Sequence, residues 1–223
     1  MTTGLQIDQK IRKGYAKAAV KLGRPFNLYR SSSSIDPINS GNLIGSLNVD
    51  NTQSWDWMKG NRPGNAIWYL LVDGQDSSAP LSAEEGDFLV GEKTFFVLSK
   101  EFQMPMQGVE CNAIIKVSRP FQSTNPGGQG YAGYLPQTST MLMQGMPASV
   151  LIQGRGRQAK SNLPTDTTQP NWIILIANLG DVDVKTGDII TDAMNQDYIL
   201  SATEQTEFGW RCTAMQVVNG RFI

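Results

Sequence analysis

The side chains best suited to chemistry in this sequence are its clustered carboxylates: Glu84, Glu85 and Asp87 in one stretch, Asp181 and Asp183 in another. Two carboxyl groups are enough for glycoside hydrolysis, one as acid and one as base or nucleophile. Here the acids fall at the openings of turns, where they ordinarily serve turn geometry and solubility. The sequence contains no histidine. The commonest general base near neutral pH and the commonest metal ligand are therefore missing, and with them Ser-His-Asp triads and most zinc sites. The two cysteines, Cys111 and Cys212, cannot build a metal centre alone. The segment Arg155-Gly156-Arg157-Gln158-Ala159-Lys160 is rich in glycine and bases but lacks the Gly-x-x-x-x-Gly-Lys-Ser/Thr spacing of a phosphate loop. No Gly-x-Ser-x-Gly nucleophile elbow occurs. The expectation is a protein without catalytic residues, cofactor or metal.

Residues suited to recognition are more plentiful. Trp55, Trp57, Trp68, Trp172 and Trp210, with Tyr131 and Tyr134, are potential stacking platforms for sugars or single-stranded nucleic acid. In a strand, Trp55 and Trp57 share one face, which makes a carbohydrate- or receptor-binding module the alternative reading. Only Lys59 and Arg62 lie nearby to favour a nucleic acid. Arg155, Arg157 and Lys160 form a basic loop. The strongest charge signal is at the start of the chain. Residues 1–30 hold Lys10, Arg12, Lys13, Lys17, Lys21, Arg24 and Arg30 against Asp8, a net of +6, so the remainder carries −7 of the total of −1. A basic head on an acidic body points to electrostatic docking, with a nucleic acid or an acidic protein neighbour.

These residues need elements to position them. Ile7, Ile11, Tyr15, Ala18, Ala19 and Leu22 recur at helical spacing, with Asp8 placed in the first turn, Lys21 and Arg24 near the last, and Gly23 and Pro25 as a stop. This predicts a basic amphipathic helix over 1–24 whose apolar face is packed and whose lysines point away. Beyond it, short apolar runs bounded by turn residues predict strands at 43–49, 67–72, 88–90, 95–99 and 111–117. A second series follows at 149–153, 172–177, 189–191, 198–201 and 211–218. Ser123-Thr124-Asn125-Pro126-Gly127-Gly128-Gln129-Gly130 reads as a flexible break.

The two series look like copies. Gly86-Asp87-Phe88-Leu89 matches Gly187-Asp188-Ile189-Ile190, Phe96-Val97-Leu98-Ser99 matches Tyr198-Ile199-Leu200-Ser201 after a one-residue slip, and Cys111-Asn112-Ala113 matches Cys212-Thr213-Ala214. Glycine to cysteine spans 25 positions in both. Asn65-Ala66-Ile67-Trp68 more loosely echoes Asn171-Trp172-Ile173-Ile174. The fold class expected is mainly β: two related barrel- or sandwich-like modules at 25–122 and 135–223, joined by a Gly/Pro-rich linker at 123–134 and preceded by the helix.

Composition agrees with an assembling protein. Charged residues make up 17%, below the roughly 25% of ordinary soluble domains, and 22 glycines and 11 prolines suit many turns. No apolar run suggests a secretory signal or a membrane span, so synthesis in the cytoplasm as a soluble chain, with both thiols free, is expected.

Several segments resemble a family of structural proteins encoded by tailed phages and prophages. They run from Gly14-Tyr15-Ala16-Lys17-Ala18-Ala19, Leu22-Gly23-Arg24-Pro25 and Tyr29-Arg30 through Ala66-Ile67-Trp68-Tyr69 and Gly86-Asp87-Phe88-Leu89-Val90-Gly91. They continue with Met146-Pro147-Ala148-Ser149-Val150-Leu151, Leu163-Pro164 and Gly187-Asp188-Ile189-Ile190-Thr191-Asp192, and end at Glu204–Ala214 by number, 204–214. Serines follow Tyr29-Arg30 where the family is associated with proline. The resemblance implies a virion component of the neck or tail (connector, adaptor, hub or tube-like ring) without activity. Its implied partners are other virion proteins, further copies of itself in a homo-oligomeric ring, and DNA passing through a channel, with no membrane contact. It carries no functional residues across.

Overall fold

The computed structural model describes residues 3–53, 64–75, 81–122, 134–152, 171–207 and 209–217. A helix, α1 (Gly4–Leu22), precedes β1 (Arg24–Tyr29), β2 (Leu43–Thr52), β3 (Ile67–Val72), β4 (Phe88–Val90), β5 (Thr94–Ser99) and β6 (Met106–Cys111). Then come β7 (Ala113–Gln122), β8 (Tyr134–Ile152), β9 (Asn171–Ile176), β10 (Ile189–Asp192), β11 (Asp197–Thr206) and β12 (Gly209–Gln216). The first six close into a barrel ordered β1-β2-β3-β6-β5-β4, and the second six into one ordered β7-β8-β9-β12-β11-β10. Adding six to each strand number turns one barrel into the other. The duplication read from the sequence is therefore present as topology.

Register carries the equivalence to single residues. Period-two alternation points Phe26, Leu28, Leu70, Leu89, Phe95, Val97 and Met106 into the first barrel. Strand pairing matches them to Ile115, Val117, Ile174, Ile190, Tyr198, Leu200 and Cys212. Trp68 lies opposite Gly108, and Trp172 opposite Ala214. Each indole meets an aromatic ring edge-on: Trp68 with Phe95 at 5.9 Å and Trp172 with Tyr198 at 5.3 Å. Even the β-bulges coincide, between Val97 and Ser99 in one copy and Leu200 and Ala202 in the other.

Each barrel is closed at its seam by the same clamp. Arg30 donates from Nε and Nη2 to Asp87 at 2.8 and 2.7 Å, and Arg119 donates to Asp188 at 2.8 and 2.9 Å. The second carboxylate oxygen also accepts a backbone N–H, from Glu84 at 2.7 Å and from Lys185 at 2.8 Å. Gly86 and Gly187, at φ +86° and +90°, make the turn that aims each aspartate inward. Only glycine enters that region without strain.

The barrels are joined rather than merely linked. Phe88, Phe96 and Val109 point outward from the first barrel yet are 0%, 1% and 0% exposed, because they pack into the core of the second. Asn112, between β6 and β7, exchanges hydrogen bonds with Val150 at 2.7 and 2.8 Å. The serine loop after Arg30 is a third tie. The Ser34 amide and hydroxyl both donate to Asp181, the former at 2.6 Å, and Ile35 bridges to Gln144. Ser34 thus builds an inter-barrel contact.

Four expectations are corrected. The modules divide at Asn112 and not at 123–134, because β7 pairs with β8 and β10; the Gly/Pro-rich stretch falls between β7 and β8, within the second barrel, and Tyr134 already belongs to β8. The predicted strand at 111–117 is the end of β6 and the start of β7. The Cys111–Cys212 match is a coincidence of spacing, since pairing equates Cys212 with Met106. The β4–β5 turn is two residues shorter than the β10–β11 turn, so Phe95, not Phe96, is the counterpart of Tyr198, and Trp68 that of Trp172. Both thiols are free, and burial pushes that of Cys212 up to about 12.

A shared core makes the barrels one cooperative unit. Phe96→Ala, on the outside of the first barrel, is expected to cost about 3 kcal/mol and to leave a single transition in chemical denaturation. Two separate transitions would show independent barrels.

Candidate functional site on the N-terminal helix

The helix starts where Gln6 turns its side-chain carbonyl back to the Thr3 amide at 3.2 Å and ends at Gly23, whose amide donates to Ala19 at 2.8 Å. A Cβ at Gly23 would lie 2.9 Å from the Val49 backbone, so the chain enters β1 by close backbone approach. Ala16 and Ala19 are buried against β2, β3 and the short 3-10 turn Asp73–Gln75. Small residues let the helix lie close to the barrel wall. Ile11, Tyr15 and Ala18 are half-buried, as the periodicity predicts, whereas Ile7 and Leu22, at the ends, are exposed at 41% and 64%.

Asp8 does not serve the helix dipole. The helix begins at Gly4, so Asp8 sits past the first turn and faces inward. Its carboxylate accepts from Arg12 Nε at 2.7 Å and from the Gln103 amide at 2.8 Å, while Arg12 Nη2 donates to the Glu101 carbonyl at 3.2 Å. This latch fastens the helix to the β5–β6 loop. Burial works against the Asp8 charge, but the Gln103 amide, Arg12 and, further off, Lys100 outweigh it and hold the carboxyl below its ordinary 3.8.

The six predicted docking cations therefore divide. Arg12 is turned inward, and Arg24 lies in β1 paired with Glu92. Lys10, Lys13, Lys17 and Lys21 are exposed, and among the described residues none has an ion-pair partner. At helical spacing they occupy an arc of about 80° and a length of about 16 Å, opposite the buried face. The result is a rigidly held row of four free ammonium groups.

The other sequence-derived residues are not brought to this row. Trp55, Trp57, Arg155, Arg157 and Lys160 lie outside the described residues. Trp68 is 5% exposed and Trp172 is half-buried, both turned into barrels, so neither is a stacking platform. A cleft of about 440 Å³ opens where Trp68, Lys93 and Glu110 of the first barrel meet Asn112, Ser149 and Leu151 of the second. Lys93 Nζ is 2.9 Å from Glu110 and 3.9 Å from the Trp68 ring centre, so its charge is already matched. Of the clustered carboxylates, Asp87 belongs to the seam clamp, Glu84 lies 3.3 Å from Arg30, Glu85 accepts the Lys100 amide, and Asp181 ties the barrels. Among the described residues, no group of three Cys, Asp or Glu side chains is placed to hold a metal, and no helix is long and apolar enough to cross a membrane. The seam clamp is what sequence reading missed: the repeated Gly-Asp was visible, but its two arginines lie 57 and 69 positions upstream.

Comparison with known proteins finds no matching family model, no matching curated protein and no matching solved structure.

Because the Asp8 carboxyl is depressed, its contribution to helix docking is complete above the unfolded value near 3.8 and is lost as pH falls through the lower folded value. Amide exchange along 4–22 should accelerate in that acid window in the native chain. In Asp8→Asn it should already be fast at neutral pH and nearly independent of pH once intrinsic exchange is corrected. Equal protection in both proteins at pH 7 would refute the latch.

Proposed function

We propose that this chain is a structural subunit of a tailed-phage particle, in the neck or tail, that acts by assembly and not by catalysis. The observation that carries this reading is the lysine row. Four like charges are held along one face of a helix that is itself latched to a rigid double barrel. Unpaired cations on a rigid support form a docking surface, since little conformational freedom remains to be lost on binding. Resemblance to phage structural proteins along much of the sequence supports the setting. Its partners are acidic surfaces of neighbouring virion proteins or of further copies, with non-specific contact to channel DNA as a second use of the same charges. The chain is made in the host cytoplasm and resides in the virion.

The test is incorporation. Lys10, Lys13, Lys17 and Lys21 changed together to Glu should leave the melting temperature within a few degrees of the native chain, because all four are exposed. Particles assembled with this variant should lack it or fail to mature. Incorporation at the native level would overturn the role of the helix, and absence of the native chain from purified particles would overturn the virion reading.

A further inference from the structure

Internal duplication allows the contacts of one barrel to interpret the surface of the other. Tyr29, Phe88, Phe96 and Val109 form a row across β1, β4, β5 and β6, each paired with the next. This outward row is what the second barrel covers. Its counterpart in the second barrel is Ser118, Ile189, Ile199 and Met215 across β7, β10, β11 and β12. The alternation that sends Ile190, Tyr198 and Ala214 inward, at 0%, 3% and 0% exposed, sends Ile189, Ile199 and Met215 outward. Met215 is 46% exposed, and the two isoleucines are half-buried. On the same outward side of β11, Asp197 and Glu204 bracket Ile199; Asp197 accepts from the Thr191 hydroxyl at 2.7 Å, Glu204 faces Arg211 at 3.8 Å in a loose, exposed pair, and Lys116, opposite Thr191, is exposed on the same side.

We infer that this row seats helix α1 of a second copy, so that chains associate head to tail; the inference rests on the assembly reading above. The two surfaces fit chemically. Lysine stems are apolar and cover Ile189, Ile199 and Met215, while their ammonium groups reach Asp197 and Glu204 at either side. Val20, 63% exposed, and Ile7, 41% exposed, flank the lysine row and extend its apolar margin. The other seats of this kind are filled within the chain. The β2–β3 wall of the first barrel carries its own α1, and the corresponding part of the second barrel carries the first barrel. What a second copy still presents at that end is the outer side of α1. The contact joins unlike surfaces and leaves one of each free, so it propagates into a ring or an open stack.

Mass measurement with two complementary variants tests this. One carries Ile199→Glu and Met215→Glu, spoiling the row; the other carries the four lysine-to-glutamate changes, spoiling the helix. Thermal melts establish that both fold. The native chain should exceed its 24.5 kDa monomer mass in a concentration-dependent way. Each variant alone should remain monomeric, and an equimolar mixture should form a species of twice the monomer mass, because one sound helix meets one sound row. A native chain that stays monomeric at all concentrations, a variant that still assembles alone, or a mixture that stays monomeric overturns the inference. The virion reading is judged separately, by whether the native chain is found in particles.

Discussion

A carboxylate buried at 1–2% exposure is costly unless its charge is matched, and this chain places one in each barrel, at Asp87 and Asp188. Each lies just before the strand that must return to close its barrel. The closing ladders are short: three paired residues between β1 and β4, four between β7 and β10. Ladder hydrogen bonds of that number hold a seam weakly. The bidentate arginine, which leaves the opposite strand at the same level, adds a charge-assisted crosslink with fixed geometry. The preceding glycine in the left-handed region aims the aspartate, and the backbone N–H three residues upstream fills the remaining acceptor position. Barrel closure, turn conformation and charge placement are thus one requirement, and each copy meets it with the same atoms.

Within that shared frame the interiors differ freely. The first barrel is filled by Phe26, Phe95 and Met106 where the second has Ile115, Tyr198 and Cys212. Volume is redistributed while the inward pattern is kept, which is the tolerance expected of a packed core. The tryptophan at the start of β3 and of β9 is the exception. It faces a residue no larger than alanine on the neighbouring strand and rests edge-on against the aromatic of β5 or β11. This pairing of a large residue with a small one is retained in both copies.

How much of this was legible in the sequence follows from which forces act locally. Helix α1, with its outward lysines, and the strand at 67–72 were readable because burial alternates within a few residues, and those at 88–90 and 95–99 because they are short apolar runs between turn residues, buried on both faces. The Gly-Asp repeat was readable because it reflects a backbone conformation. β6 was not, since Met106-Gln107-Gly108-Val109-Glu110-Cys111 is diluted by polar residues and by a glycine whose place is set by Leu70 across the ladder, 2.5 Å from where a Cβ would lie. The module boundary was hidden for a related reason. The chain crosses between barrels through Asn112 alone, and the hydrogen bonds satisfying that crossing come from Val150 and Ala148, far along the sequence. The Gly/Pro-rich stretch looked like a boundary because turn chemistry does not reveal whether a turn separates barrels or strands of one barrel. The role of Asp8 was missed because the same residue type suits a helix dipole and a buried latch; only the Gln103 amide distinguishes them.

The outer surfaces separate the copies more sharply than the cores do. Where the first barrel has Tyr29 and Leu98 packed against its neighbour, the second has Ser118 and Ser201. A face freed from its neighbour would be expected to become polar throughout, since nothing is gained by keeping apolar groups in water. Here the change stops at the margins. Ile189, Ile199 and Met215 stay apolar at the centre, with serines, Asp197, Glu204, Lys116 and Arg211 around them. An apolar centre within a polar rim is the anatomy of a surface that meets a partner part of the time. The aromatic counterparts Phe88 and Phe96 mark the permanent version of the same contact. The difference between the two rows, aromatic and sealed against aliphatic and open, is the sharpest divergence between the two copies.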